Sequence, residues 1–496
     1  MENRKMASEI SKQYLSKTLF MRGLQCHKSL YLDRYQPALR DATPPSTEAL
    51  FQSGHDVGRI AQNLFPAGIE IPYEGFSHKQ QLETTKSEIS KGITTLYEAA
   101  FSNGDVFVKV DILRRGRQGW EIYEVKGSTE LKEVHIPDAA IQYRVLTGAG
   151  ISVSKVFIVH INNEYVRKGD IDVSELFTLE DITETVKEVQ SSINDELRKQ
   201  REMLKGSLPV IDIGEHCEDP YTCDFMGHCW AHIPEISVFN LKGRGANAYE
   251  LYRQGIVHLK DIPNDLLSPN QRTQVEATLK QKNFIEPDRV GDFIKSLWHP
   301  MCFLDFETLS SPIPLWDGIR PWQQVPFQYS LHILEKEGKE LKHCEYLASP
   351  NVDPRRELIE KLLSEIPDNA CILHYTAFEK SRLNDLSEWF PRYKKQIDKL
   401  INQCIDISSP FRNRSVYLWQ MDGSYSIKSV LPAIAPDLNY DSMEISDGGM
   451  ASEAYFRMCE SDDPREITGI RRALLDYCGL DTMAMVRILK ELRMLI

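Results

Sequence analysis

No run of apolar residues in the 496-residue sequence approaches the roughly 20 needed to cross a bilayer. The opening stretch, MENRKMASEISKQYLSK, is polar and carries no apolar signal core, so a cytoplasmic protein with no membrane partner is expected. Internal repeats and low-complexity tracts are missing too, which sets aside solenoids, propellers and fibrous chains. So is any surplus of basic charge: the formal net charge is −13. That removes bulk electrostatics as a sign of nucleic-acid binding. It does not remove an enzyme acting on nucleic acid, because active-site carboxylates add negative charge and a local basic patch can do the binding. Arg114, Arg115 and Arg117 form one such patch, and a solvated turn explains them equally well. Ten cysteines without a signal segment do not describe a disulfide framework.

What is present is an ordinary globular composition, 42% hydrophobic and 26% charged, in a chain long enough for ample buried core. Near its first third, Val106 to Lys126 is predicted as a β-hairpin: VFVKVDIL alternates, RRGRQG turns and GWEIYEVK alternates again. Asp111 falls near the end of the first strand. Glu124 and Lys126 are two apart on the second, so both side chains leave one sheet face. Two carboxylates and an amine converging there can bind a divalent cation, activate water and steady a phosphate that is gaining charge. A charged hairpin on a solvated face is the plainer account. AAIQYRVLTGAG next places Gln142 in an apolar helical run, followed by a strand over 155–161. Upstream, LSKTLFMRGLQCHKSLYLDRY reads as a strand or loop into a helix carrying Cys26, and residues 49–65 and 77–103 as amphipathic helices. Downstream, DITETVKEVQSSINDELRKQREMLKG reads as one long polar helix begun by an Asp or Thr cap.

HCEDPYTCDFMGHCW then holds Cys217, Cys223 and Cys229 as a compact ligand loop. A four-thiolate site needs one more ligand, and Cys26 is the natural lender. The spacing suits either an iron–sulfur cluster or zinc, the latter with His216, His228 or His232 as alternative ligands. Cys302, Cys344, Cys371, Cys404, Cys459 and Cys478 lie mostly in apolar segments and are expected in the core. Residues 233–300 read as short helices broken by Gly, Pro and Asn.

At residue 301 the chain starts again. MCFLDFETLSSPIP is an apolar strand that sends Asp305 and Glu307 to one sheet face. PFQYSLHIL is a second strand, PRRELIEKLLSEI a helix, ACILHYTAF a strand running into a helix, and QCIDIS a further apolar segment with Asp406. Near the end, one long helix carries Tyr477 and Asp481, four apart and therefore neighbours on one helical face. Trp316, Arg320, Trp322, Gln323 and Gln324 sit between the first two strands, where they can stack on a terminal base or pack on one another. Lys428 can meet a phosphate or cover a helix start.

Two resemblances follow from these residues. Asp111, Glu124 and Lys126 resemble the PD-(D/E)xK motif of RecB-like nucleases, and Gln142 resembles the Gln of that family's Q-x-x-x-Y element, with Leu146 where the Tyr falls. The resemblance implies that Asp111 and Glu124 ligate a metal and that Lys126 positions the nucleophile or the phosphate. The chain departs at an early helix, where Gly58 stands in place of the usual histidine and His55 lies one turn earlier. Cys26 followed by Cys217, Cys223 and Cys229 resembles the iron–sulfur staple of CRISPR-associated RecB-like nucleases, which implies a [4Fe–4S] cluster, with zinc the alternative.

The second half resembles the DnaQ-like exonucleases of the ribonuclease H fold, of the DEDDy kind. By that resemblance Asp305, Glu307 and Asp481 are three of four acids that hold two Mg²⁺ or Mn²⁺ ions, and Tyr477 orients the attacking water. The remaining acid is Glu379 in HYTAFEKSRL, where the family usually has Asp; Asp406 is a supporting aspartate and the reserve ligand.

The expected fold is α/β: a PD-(D/E)xK restriction-endonuclease-like domain over 15–235, a helical connector over 236–299 and a DnaQ-like ribonuclease H-fold domain over 300–496. The expected function is a metal-dependent nuclease with two active sites, acting on DNA ends in repair, recombination or defence. The alternatives are an RNA-degrading DnaQ-like exonuclease and a nucleic-acid-binding scaffold whose RecB-like half is inactive.

Overall fold

The structure, a computed structural model, describes residues 14–43, 45–440 and 443–496; the polar stretch ahead of Tyr14 lies outside the described residues. It is a mixed α/β chain with several sheets. The chain divides into two compact units, one taking the chain up to His232 together with Ser311–Trp322, the other Ile233–Ser310 with Gln323–Ile496.

The sheet of unit 1 contains β1 (Leu15–Ser16), β2 (Ile69–Glu70), β3 (Thr95–Asn103), β4 (Val106–Arg115), β5 (Trp120–Lys126), β6 (Val153–Ile161) and β7 (Phe177–Asp181). Its order is β2-β3-β4-β5-β6-β7, with β1 beside β4. The helices of this unit are α1 (Lys17–Gln25), α2 (His27–Tyr35), α3 (Pro45–Ala61), α4 (His78–Ser90), α5 (His135–Gly148), α6 (Thr183–Glu188) and α7 (Gln190–Lys205). The expected hairpin is β4–β5, paired antiparallel from Arg115–Trp120 to Ile112–Tyr123. Ile122, Val156 and Ile158 of the sheet form one core with Phe20, Ala140, Val145, Val186 and Leu197. Tyr97, Ile112, Tyr123 and Val159 form the other with Val57 and Ala61 of α3.

Three local expectations need correction. The helix expected over 77–103 ends at Ser90, and Thr95–Asn103 is a strand. Gly92, at φ 84°, turns the chain, and the aromatic-rich segment beyond it is buried from both sides, which favours pleated backbone over an amphipathic helix. Cys26 does not sit on a helix; its extended backbone (φ −160°, ψ 117°) separates α1 from α2. The long polar helix is broken at Val189 into α6 and α7. Residues 311–322 belong to unit 1, where Trp322 Nε1 donates to Gly127 O at 2.9 Å and Arg167 donates to Pro314 O and Leu315 O at 2.8 and 2.7 Å.

Unit 2 is built on β9 (Met301–Leu309), β10 (Val325–Leu334), β11 (Lys342–Leu347), β12 (Cys371–His374) and β13 (Cys404–Asp406), after a short β8 (Phe284–Ile285) that pairs with β14 (Val416–Tyr417). The sheet order is β11-β10-β9-β12-β13: β10 is antiparallel to both β9 and β11, while β12 is parallel to β9 and β13. The edge strand β11 alternates too weakly in KHCEYL to stand out in the sequence. Helices α8 (Arg355–Glu365), α9 (Phe378–Trp389), α10 (Lys394–Asn402), α11 (Ile427–Ile434), α12 (Gly448–Glu460) and α13 (Pro464–Met494) follow. Residues 233–300 do form short helices, among them Pro269–Lys280, around a small core of Val238, Leu251, Leu259 and Val275. Among the described residues no helix is long and apolar enough to cross a membrane.

Ile122 is fully buried where β5 meets the α5-side core. Ile122→Ala should lower unfolding free energy by about 2–5 kcal/mol, measured by urea denaturation.

Candidate functional site

In unit 2 the strand period does the first placing. Asp305 and Glu307, two apart on β9, leave the sheet on one face, and α13 lays Tyr477, Cys478 and Asp481 against it. Ligand atoms of Asp305, Glu307 and Cys478 lie within 4.8 Å of one another. Glu379 enters from the first turn of α9 and hydrogen-bonds the Asp305 carboxyl. Asp481 takes hydrogen bonds from the phenols of Tyr440 and Tyr477. The Lys428 ammonium lies 5.9 Å from the Tyr477 ring centroid, and its positive charge favours the ionised forms of Glu307 and Asp481.

Burial and mutual repulsion dominate the electrostatics. Burial, then the Asp481 and Glu379 charges, pushes Asp305 well above the usual carboxylate range. Burial and Asp305 do the same to Glu307, while burial lifts Glu379 to about 8 and Asp481 to about 6. Two features of the strand–helix turn hold Glu379 in place. Asp406 Oδ1 accepts from Thr376 N at 3.1 Å, where Thr376 has φ 66°, and its Oδ2 is 2.8 Å from Arg412. His374 Nδ1 stands 3.5 Å from Glu379 Oε2, both almost wholly buried. Asp406 therefore organises the turn, and Glu379 is the acid that reaches Asp305.

In unit 1, β4 slips out of simple alternation at Asp111: Val110 and Leu113 both join the α5-side core, and Ile112 the other. Asp111 Oδ2 accepts from Val125 N at 2.7 Å, just past the Ile112–Tyr123 end of the β4–β5 pairing. Lys126 Nζ is 2.7 Å from Glu124 Oε1, and Gln142 Nε2 donates to Glu124 Oε2 at 2.6 Å. The four expected residues thus meet. Two others join them: Lys17, 2.6 Å from Glu124 Oε1 and 3.2 Å from Asp138 Oδ1, and Asp138, which also pairs with Lys126. Burial raises Asp111 to about 7, with Glu124 adding to it; for Glu124 burial acts upward but Lys126 and Lys17 outweigh it and hold the carboxyl low. His55 is exposed on α3, and Leu146 is buried in the core.

Cys26, Cys217, Cys223 and Cys229 come together as well, lining a cavity of about 20 Å³ with Phe225. Burial and the neighbouring thiols raise Cys26 and Cys229. Arg22 fixes the loop by a paired bond to Asp224 at 2.6 and 2.9 Å, and Gln25 donates to His216 O and Tyr221 O. Among the described residues, no three of the four sulfurs fall within 4.8 Å of one another. Of the six cysteines expected in the core, Cys302, Cys371 and Cys478 are buried and Cys344, Cys404 and Cys459 only partly so; Cys478 also touches an acid, 3.4 Å from Asp305 Oδ2.

Residues 302–426 match a domain of unknown function, DUF2779. The match takes in Asp305, Glu307, Glu379 and Asp406 and stops short of Tyr477 and Asp481. An uncharacterised protein of Mycoplasma genitalium is 23% identical over 377 residues, 67% of this chain and 56% of its own. A homologue of it in Mycoplasma pneumoniae is 26% identical over 224 residues, 40% of this chain and 33% of its own. An uncharacterised protein of Ureaplasma parvum is 24% identical over 180 residues, 32% of this chain and 26% of its own. The chain spans little more than half the length of the first of these relatives, and less of the other two.

The sign of a pH effect follows from Glu379. Its folded value of about 8 lies above its ordinary 4.5, so its stabilising contribution is complete below 4.5 and is lost as pH rises through about 8. Protein held in EDTA should therefore melt at progressively lower temperature between about pH 5 and about pH 8, and Glu379→Gln should flatten that slope in scanning calorimetry.

Proposed function

We propose that the protein is a metal-dependent nuclease that hydrolyses phosphodiester bonds, an exonuclease acting on DNA ends, with its chemistry in unit 2. The observation that carries this reading is the convergence of Asp305, Glu307, Glu379 and Asp481 in a buried place. Their raised pKa values mean that the four cannot all be ionised there without added positive charge. All-oxygen donors of this kind suit the hard cations Mg²⁺ and Mn²⁺. When bound, such ions would supply Lewis-acid stabilisation to the oxygens that gain charge as the phosphodiester is cleaved.

The protein's own groups have distinct tasks in this reading. Tyr440 fixes the Asp481 carboxyl by a hydrogen bond, and Tyr477, beside that carboxyl, would orient the attacking water as the DnaQ-like resemblance implies. Lys428 offers the ammonium that a substrate phosphate would meet. Asp406 and Arg412 keep the β12–α9 turn in the form that presents Glu379. A three-strand antiparallel meander continued by two parallel strands supports the DnaQ-like resemblance, and the meeting of Asp111, Glu124, Lys126 and Gln142 supports the RecB-like one. DNA is placed ahead of RNA because the iron–sulfur RecB-like relatives process DNA ends.

For the four cysteines we favour [4Fe–4S] over zinc. The ground is the resemblance of Cys26 with Cys217, Cys223 and Cys229 to the iron–sulfur staple of the RecB-like nucleases. A cluster there would be held by Cys26, Cys217, Cys223 and Cys229 and would fasten the start of unit 1 to its last loop.

Purified protein with Mg²⁺ or Mn²⁺ should shorten end-labelled DNA, and competition with a matched RNA should favour DNA. Asp305→Ala should reduce the rate by about 10³-fold or more and Tyr477→Phe by about 10–10²-fold. Intact label after incubation with fresh wild type would overturn the reading. An anaerobic preparation should show a broad absorption band at about 400 nm and about four irons per chain, both lost in Cys223→Ala; stoichiometric zinc without colour would replace the cluster by zinc.

A further inference from the structure

The resemblance of unit 1 to RecB-like nucleases implies a divalent cation on Asp111 and Glu124, and the residues present do not fit one. Both oxygens of Glu124 are already committed. Oε1 receives the ammonium groups of Lys17 at 2.6 Å and Lys126 at 2.7 Å, and Oε2 receives Gln142 Nε2 at 2.6 Å. Asp138 is bridged by the same two lysines, with Lys17 3.2 Å from its Oδ1. Asp111 spends one oxygen on Val125 N. Two ammoniums thus face Glu124 and Asp138 and cancel their charge, and Glu124 is only 1% exposed.

Unit 2 makes the comparison sharp. There four acids share one place, and Lys428 is the lysine that faces Glu307 and Asp481. Unit 1 sets two ammoniums against Asp111, Glu124 and Asp138, and the added one is that of Lys17. It is the first residue of α1, held by the Ser16 side chain that accepts from Leu19 N. A cation is disfavoured there by the positive end of the helix dipole. Its ammonium crosses to Glu124, 107 residues away in sequence, and so ties α1 to β5 and α5.

We propose that Lys17 is the resident cation of unit 1: its ammonium takes the charge-neutralising position that a divalent metal would otherwise fill, so this half of the protein holds its Asp111–Glu124–Lys126 constellation without metal. The chain then carries one metal-requiring site, in unit 2, and one lysine-balanced site, in unit 1. The inference does not depend on the reaction proposed for unit 2, because it concerns which acids need a metal.

Mn²⁺ is the probe, counted by equilibrium binding and electron paramagnetic resonance on the full-length chain. Wild type should bind Mn²⁺, and Asp305→Asn/Asp481→Asn should bind none. Adding Lys17→Met to that double variant should restore one Mn²⁺ per chain, and a further Glu124→Gln should abolish it. Lys17→Gln, which keeps a polar side chain at the position, guards against a folding defect in Lys17→Met. Two results overturn the proposal. One is a double variant that keeps Mn²⁺ and loses it on Glu124→Gln, which needs no change at Lys17. The other is a folded Lys17 variant in that background that binds no Mn²⁺. Wild type that binds no Mn²⁺ would count against unit 2 instead, leaving the two arms on unit 1 to be read separately.

Discussion

Negative charge that the folded chain leaves unbalanced is the constraint on which unit 2 turns. Asp305, Glu307, Glu379 and Asp481 come from β9, α9 and α13, elements that apolar burial alone would pack together without them. Removing four carboxylates from water and setting them side by side works against folding, and hydrogen bonds recover only part of the loss. The surroundings carry the marks of that opposition. The Glu379 carboxyl faces that of Asp305, and the Tyr440 phenol donates to Asp481 with Tyr477 beside it. A fold that keeps such a cluster against its own stability keeps it for what binds there.

Unit 1 reaches a different settlement with similar residue types. A lysine two positions from Glu124 on the same strand supplies one counter-charge, and Lys17 on α1 supplies another. Ion pairs buried this deeply gain little net stability. Their effect is on geometry: Glu124 cannot turn without breaking its bonds to both ammoniums and to Gln142. The result is a site that keeps the Asp, Glu, Lys and Gln of a catalytic motif without its histidine or its Tyr, and in which two ammoniums balance Glu124 and Asp138.

The parts of these sites that were legible in sequence are those linked by short periods. Glu124 and Lys126, like Asp305 and Glu307, are two apart on a strand, and Tyr477 and Asp481 are four apart on a helix; each spacing puts a pair on one face before any tertiary fact is known. Asp138 obeys the same rule, four residues before Gln142 on α5, but an acid in the first turn of a helix also suits the helix dipole and so carries no distinct signal. Lys17 and Tyr440 have no such signal, since each acts on a partner far away in sequence. The misread strand Thr95–Asn103 failed for a related reason. A segment covered on both faces loses the alternation by which a strand is recognised, and only its neighbours β2 and β4 decide its backbone.

The cysteines extend this argument from charge to chain topology. Cys217, Cys223 and Cys229 are close in sequence, so their meeting costs little chain entropy. Cys26 is the distant partner, and its placement depends on the kink between α1 and α2 together with the Arg22–Asp224 pair and the Gln25 bonds to the loop backbone. Those polar contacts hold the Cys26 segment against the 217–229 loop. The cluster proposed there would secure α1, the element that carries Lys17 to Glu124.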